Sequence, residues 1–182
     1  NMLQGQRDLA TVGRVLLAEL TSLVNAQRGV IYRMEEDGDR QFLKLLSSFA
    51  DDPEAGHPDT LSIGDSLVGQ CAADKRPLLL SELPDDVVPI GSSLFKAKPK
   101  NVVVLPVPFE NHIKAVMELA SLSNFTPSQL TLLEQLTSNI GIVFNSIEAT
   151  MQTEGLLKQS QQLARELQTQ QVELQQTNDQ LE

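Results

Sequence analysis

Leu9, Val12, Leu16, Leu20, Leu23 and Val24 recur at steps of three and four, a spacing that places them on one face of a helix from about residue 6 to about 25. The period then shortens. GVIYRM (29–34) and QFLKLLSSF (41–49) flank the turn-forming EEDGD (35–39), which predicts a hairpin. DDPEAGHPDT (51–60), with two prolines, a glycine and four acids, reads as a solvated loop. Asp65 or Ser66 caps a short helix through LVGQCAADK (67–75), Pro77 ends it, and LLL (78–80) supplies a buried strand. The stretch from Pro84 to Pro99 has three prolines, a glycine and no period. NVVVLPVPF (101–109) and IKAVMELAS (113–121), separated by ENH, predict a second hairpin whose Pro106 and Pro108 suit an edge or a bulge. From Thr126 the pattern turns helical, with Pro127 at the first helical position. Leu130, Leu133, Leu136, Ile140, Phe144, Ile147 and Met151 line one face, and no proline follows.

This order of elements predicts an α+β fold, one antiparallel sheet with helices on one side. It also divides the chain into a globular unit over 1–150 (helix 6–25, sheet and crossing segment 27–121, helix from 126) and a helical extension over 151–182. In the extension, Ser160, Leu167, Leu174 and Leu181 share one heptad position, and Leu156, Leu163, Gln170 and Thr177 share the other. A compact domain cannot bury a stripe on a helix that is leaving it, so a second helix must cover this seam. The competing reading lays the tail along its own domain or lets it fray; the glutamine-rich exterior and the absence of proline favour the coil. Gly155, costing roughly 1 kcal/mol against alanine in a helix interior, marks the expected junction. A start at Asn1-Met2 and an unfinished polar helical pattern at Glu182 lead us to expect a piece of a longer protein.

Charge and chemistry narrow the function. With 24 acidic and 14 basic residues the formal net charge is −10, which argues against nucleic acid as a partner. Cys71 is the only cysteine among 182 residues, so no internal disulfide framework or multi-cysteine zinc site can form, and a reducing cytoplasm is the natural compartment. No apolar run approaches the roughly 20 residues of a spanning helix, and direct membrane contact is not expected. His57 sits in a proline-flanked acidic loop and His112 in a hairpin turn, neither at metal-ligand spacing nor on a helix that could carry a phosphoacceptor. Gly64 and Gly69 flank DSLV, but Gln70-Cys71 follow where a phosphate loop needs Lys and Ser or Thr; a turn plus close packing at a helix start is the better reading. Cys71 lies one turn from Leu67, as a small buried apolar residue would. Lys96, Lys98 and Lys100 form a basic run that reads as a solvated loop, with an anionic ligand or acidic partner as the alternative. No nucleophile, base and orienting group can be assembled, so the chain is expected to be non-catalytic, with no metal and no assigned cofactor residue.

IGDSLVGQCAADKRPLLLSELP (63–84), NVVVLPVPFENHIKAVMELAS (101–121) and FTPSQLTLLEQLTSNIGIVFNSIEA (125–149) resemble a GAF domain of the kind that precedes the kinase core in bacterial hybrid sensor histidine kinases. The tail LLKQSQQLARELQTQQVELQQTNDQLE (156–182) resembles the signalling coil that follows such domains. The resemblance implies a GAF-like antiparallel sheet flanked by helices, with a long C-terminal helix forming a coiled coil. It further implies a cytoplasmic regulatory module of a two-component sensor histidine kinase, whether or not the parent protein is membrane-anchored. That module would be a parallel homodimer, joined through the seam and an outward part of the Leu9 to Leu20 stripe, and would pass a helix-packing signal to kinase domains downstream in the same chain. The alternative is a ligandless dimerisation spacer. Three family chemistries are disfavoured. Bilin attachment uses a cysteine usually followed by histidine, whereas Ala72-Ala73 follow Cys71; methionine-sulfoxide reduction on this fold uses several cysteines. The cyclic-nucleotide signature Phe-x3-Asp-Glu is met at Phe125 but departs at Gln129 and Leu130. Another small ligand stays open, in the pocket this fold places between sheet and crossing segment, here 84–99.

Overall fold

A computed structural model describes residues 2–50 and 57–179. Helix α1 (Met2–Val24) ends on a left-handed Asn25 at φ 52°, where the Ala26 N–H donates to the Thr21 carbonyl at 2.8 Å, an arrangement that asparagine tolerates better than most residues. Strands β1 (Arg28–Asp37) and β2 (Arg40–Phe49) run further than expected and leave only Gly38-Asp39 as the turn, with Gly38 at φ 60°. Then follow β3 (Thr60–Ser62), inside the stretch assigned to loop and just beyond it, α2 (Ser66–Asp74) and β4 (Leu78–Leu80). The irregular segment contains a two-residue ribbon, β5 (Ile90–Gly91) with β6 (Lys96–Ala97). Strands β7 (Asn101–Phe109) and β8 (His112–Ser121) lead to α3 (Pro127–Asp179).

The main sheet has the order β3-β2-β1-β8-β7-β4, every pairing antiparallel. Helices cover both faces, not one. Alternation in the apolar strand β7 explains this: Val103, Leu105 and Val107 join a core with α1 and α3, while Val102 and Val104 join a second core with α2. Leu78–Leu80 form an edge strand, not a buried one, and Leu79 is half-exposed. Pro106 and Pro108 fall beyond the reach of β4, which pairs only with Val102–Val104, and a bulge separates Val107 from Pro108. Both prolines therefore lose no ladder partner on that side.

The buried stripe of α1 is rotated from the expected one. Leu9, Leu17, Leu20 and Val24 are buried, while Leu23 and Val15 face out. Leu17 falls on the buried side and Leu23 roughly 80° round from its centre at about 100° per residue, so the outward apolar positions are not the Leu9 to Leu20 stripe. Ser47 Oγ donates to the Ala10 carbonyl at 2.6 Å and ties this helix to β2. At the start of α3, Thr126 and Gln129 form a reciprocal cap: the Gln129 N–H donates to Thr126 Oγ1 at 3.2 Å and the Thr126 N–H to Gln129 Oε1 at 2.9 Å. Packing of α3 against the domain ends at half-buried Met151; the described side chains from Gln152 onward are exposed.

Candidate functional site

Strands β1 and β8 are central, and each offers residues to both faces. On the α2 side, β1 presents Val30 and Tyr32 and β8 presents Val116 and Glu118. Tyr32 OH donates to the Pro58 carbonyl at 3.1 Å; buried Arg28 donates through Nε to Ala50 O and through Nη1 to Pro89 O, each at 3.4 Å. These bonds tie Ala50, Pro58 and the crossing segment to the sheet.

Glu118 is the residue that the sequence reading missed. It lies opposite Val30 on one side and Val104 on the other, a carboxyl in the middle of an apolar sheet face. Burial pushes its pKa up, and the nearby His57 pulls it partway back. The signal was legible as one acid inside IKAVMELAS. A raised carboxyl means that the fold prefers the protonated form, so its favourable contribution is present at low pH and lost as pH rises through the raised value. Glu118→Gln is expected to stabilise the protein at pH 7 by on the order of 1 kcal/mol, with the gain vanishing near pH 3. Urea unfolding at the two pH values checks it, and an equal effect at both would contradict the assignment.

The rest of this face is filled by the protein itself. Val68, Cys71 and Ala72 of α2 pack with Leu43, Val102, Val104 and Val116. Gly64 takes φ +86°, and a Cβ on Gly69 would collide with the Ser62 carbonyl oxygen, so the two glycines serve a turn and a close approach. The cap of α2 comes from Ser66, whose Oγ accepts from the Gly69 N–H at 3.4 Å, and not from the Asp65 side chain. Cys71 is fully buried, its thiol faces the Arg76 carbonyl at 3.2 Å, and burial, with Asp74 adding, pushes its pKa up to about 12. A thiol this far from ionisation is a poor nucleophile. Its stabilising contribution is complete below the ordinary 9.0 and is lost as pH rises towards about 12. A disulfide reagent at pH 8 is expected to leave native Cys71 unmodified while titrating one thiol in urea; fast stoichiometric reaction of the native protein would refute this.

The crossing segment 84–99 lies mostly in solvent. Its turn holds Leu94 92% exposed, with Ser92 Oγ accepting from the Leu94 and Phe95 N–H groups. Lys96, Lys98 and Lys100 are exposed, and Lys98 pairs with Asp85 at 3.1 Å. The large groove, about 1050 Å³, lies away from this segment, between the β1–β2 and β7–β8 turns and the departing α3, with Met34, Ile113, Met151 and Leu156 among its walls. Gln129, singled out as a departure from a ligand signature, is fully used in the fold: beyond its cap bond, Nε2 donates to the Val24 carbonyl at 3.1 Å. Phe125 is buried and its N–H donates to Asn101 Oδ1 at 2.8 Å. His57 and His112 both lie off helices, and no group of three potential metal ligands occurs among the described residues.

On the opposite face α3 meets the sheet at two kinds of contact. Gly141 sits so close to β7 that a Cβ there would overlap the Pro108 carbonyl. Two turns later Glu148 accepts from Lys114 Nζ at 2.9 Å and lies 3.7 Å from Arg33 Nε. Beyond these contacts the helix carries Leu156, Leu163, Leu167 and Leu174 between 56% and 69% exposed, with Ser160, Gln170 and Thr177 exposed alongside. Leu157 and Val172 are also exposed and fall outside the seam; Leu181 lies outside the described residues. Val15 and Leu23 on α1 and Ile142 and Val143 on α3 add outward apolar positions. No described helix is long and apolar enough to cross a membrane.

Comparison with known proteins agrees with this architecture. The family profile described as GAF domain matches residues 6–145. The second GAF domain of DevS from Mycobacterium smegmatis is similar at 18% identity and TM-score 0.62, over 79% of this chain and 98% of that one. The GAF domain of the Acinetobacter phosphoenolpyruvate-protein phosphotransferase is similar at 15% identity and TM-score 0.59, over 81% and 94%. A type II free methionine-R-sulfoxide reductase from Thermoplasma acidophilum follows at 12% and 0.60, over 79% and 96%. No curated protein sequence matches significantly.

Proposed function

The chain belongs to the GAF domain family, and from that premise we propose that it is a cytoplasmic regulatory module of a bacterial two-component sensor histidine kinase. It dimerises in parallel through its helices and passes a change of helix packing to a kinase core downstream. The observation that carries this reading is the seam on α3, whose leucines at 156, 163, 167 and 174 are each more than half exposed in the single chain. A heptad stripe on an isolated helix is stable only when another helix covers it, and the nearest helix of matching pattern is a second copy. Polar residues in the same seam keep the coil weak. Thr177 Oγ1 donates to the Glu173 carbonyl at 2.8 Å, which satisfies its hydroxyl within one helix, so the layer tolerates more than one packing. A sensor can bias only an equilibrium whose two states differ by a few kcal/mol.

A ligandless dimerisation spacer is the second reading, favoured by one observation: α2 packs its own Val68, Cys71 and Ala72 against the sheet face where a ligand would rest. Native mass spectrometry of freshly purified protein separates the two. A dimer carrying a retained small molecule supports the sensor; a dimer of bare polypeptide mass supports the spacer; a monomer at tens of micromolar sinks both.

A further inference from the structure

Among the described residues, the last polar tie between the globular domain and α3 joins Glu148 to residues of β1 and β8. Arg33 and Glu148 are each 19% exposed at the side chain, and Lys114 is little more accessible. Lys114 is the extra residue of the bulge in β8, where Val107 pairs with Ala115 but Pro108 with Ile113; the bulge re-aims a side chain that regular alternation would turn towards α2. Arg33 follows Tyr32 directly on β1, so one strand touches the loop-covered face with one residue and α3 with the next. Glu35, 3.6 Å from Arg33 Nη2 and 3.9 Å from Lys44 Nζ, holds the guanidinium from its own strand.

The tie is incompletely made. Arg33 Nε is buried without a hydrogen bond among the described residues, and its distance of 3.7 Å to Glu148 Oε1 exceeds hydrogen-bond length by roughly 0.8 Å. A buried donor left unpaired is unfavourable, so a small approach of α3 to β1 would be rewarded. Seven residues earlier, Gly141 abuts the Pro108 backbone with no side chain between them, a contact that can rotate but not compress.

We infer that Glu148 is a latch and Gly141 a pivot, so that engaging or releasing Arg33 and Lys114 tilts α3 relative to the sheet and delivers motion of β1 and β8 to the coil. Lever arithmetic gives the inference its force. The latch lies roughly 10 Å from the pivot and Leu174 roughly 50 Å from it at 1.5 Å per residue, so a shift of about 1 Å at Glu148 becomes about 5 Å near the end of the described helix. The inference rests on the proposed role of α3 as output, but the latch itself is intramolecular.

The test places spin labels at Gln41→Cys and Lys158→Cys; fully buried Cys71 does not compete for the label. Labelled chains are diluted tenfold or so with unlabelled protein, and dipolar distances are recorded for the parent and for Glu148→Gln, Arg33→Gln and Lys114→Met. The latch predicts that each folded variant shifts the mean distance by about 2.5 Å or doubles its width, whereas a residue that merely stabilises the fold would change the melting temperature and not the distance. Superimposable distributions for the folded variants would overturn it. Sedimentation of the same samples reports the dimer separately: a monomer with altered distances removes the dimer reading and keeps the latch, and a dimer with unaltered distances does the reverse.

Discussion

Gly141→Ala is expected to destabilise the protein by about 3 kcal/mol or more, although alanine is the better helix former by about 1 kcal/mol. The reason is contact with backbone. The new Cβ would occupy the space of the Pro108 carbonyl oxygen and approach the Phe109 nitrogen, and neither can swing aside as the end of a flexible side chain can. Either α3 lifts from β7, exposing Ile140 and Phe144 of the core, or the β7–β8 bulge is rebuilt. Gly155→Ala supplies the internal contrast, since nothing lies within 4 Å of its Cβ position. There propensity acts alone, and α3 should gain up to about 1 kcal/mol of local helix stability. Urea unfolding for the first variant and amide exchange along 152–160 for the second read the two effects. A neutral Gly141→Ala would show that the helix does not rest on β7 as described, and would remove the pivot.

Leu163→Lys combined with Leu167→Lys should weaken self-association at least about 1,000-fold, which corresponds to about 4 kcal/mol. The two residues occupy the two alternating seam positions, and each substitution acts twice in a homodimer, replacing buried apolar surface with paired like charges. Both side chains are more than half-exposed in the single chain, so the domain itself should unfold at an unchanged urea midpoint. Gln162→Lys, off the seam, is the control and should leave the association constant within a few-fold. The opposite change, Gln170→Leu with Thr177→Leu, should tighten the dimer, and in the intact kinase it should hold output in one state. A tightened dimer that still switched normally would assign those polar layers to register alone.

The sequence was most legible where one period governs a whole element. Alternation in β7 and β8 and the Thr126-Pro127 start of α3 gave those elements within a residue or two, and the turn-plus-packing reading of Gly64 and Gly69 matches their geometry. Errors arose where tertiary context decides. Three leucines at 78–80 look buried from composition, yet the strand's place at the sheet edge leaves Leu79 half in water. Helices on one side follow from element order alone, but 101–107 is apolar on both faces and demands two covers. The site was less legible still. Glu118 stands in an apolar strand, Arg33 and Lys114 belong to no motif, and only the bulge in β8 brings Lys114 to Glu148. Pro106 and Pro108 announce the bulge in this hairpin, but not which side chain of the facing strand it re-aims.

The proposed output path depends on two α3 helices running side by side in the same direction. Single spin labels at Gln152→Cys, Gln159→Cys, Glu166→Cys and Glu173→Cys, one per protein, measure this through the distance between equivalent positions in the two copies. A parallel coil predicts short distances of roughly 15–30 Å at every position, with no trend along the helix, because helices in a coil stay 8–10 Å apart at their axes. Distances that lengthen steadily away from one crossing point, or the absence of any dipolar signal at concentrations of tens of micromolar, would contradict it.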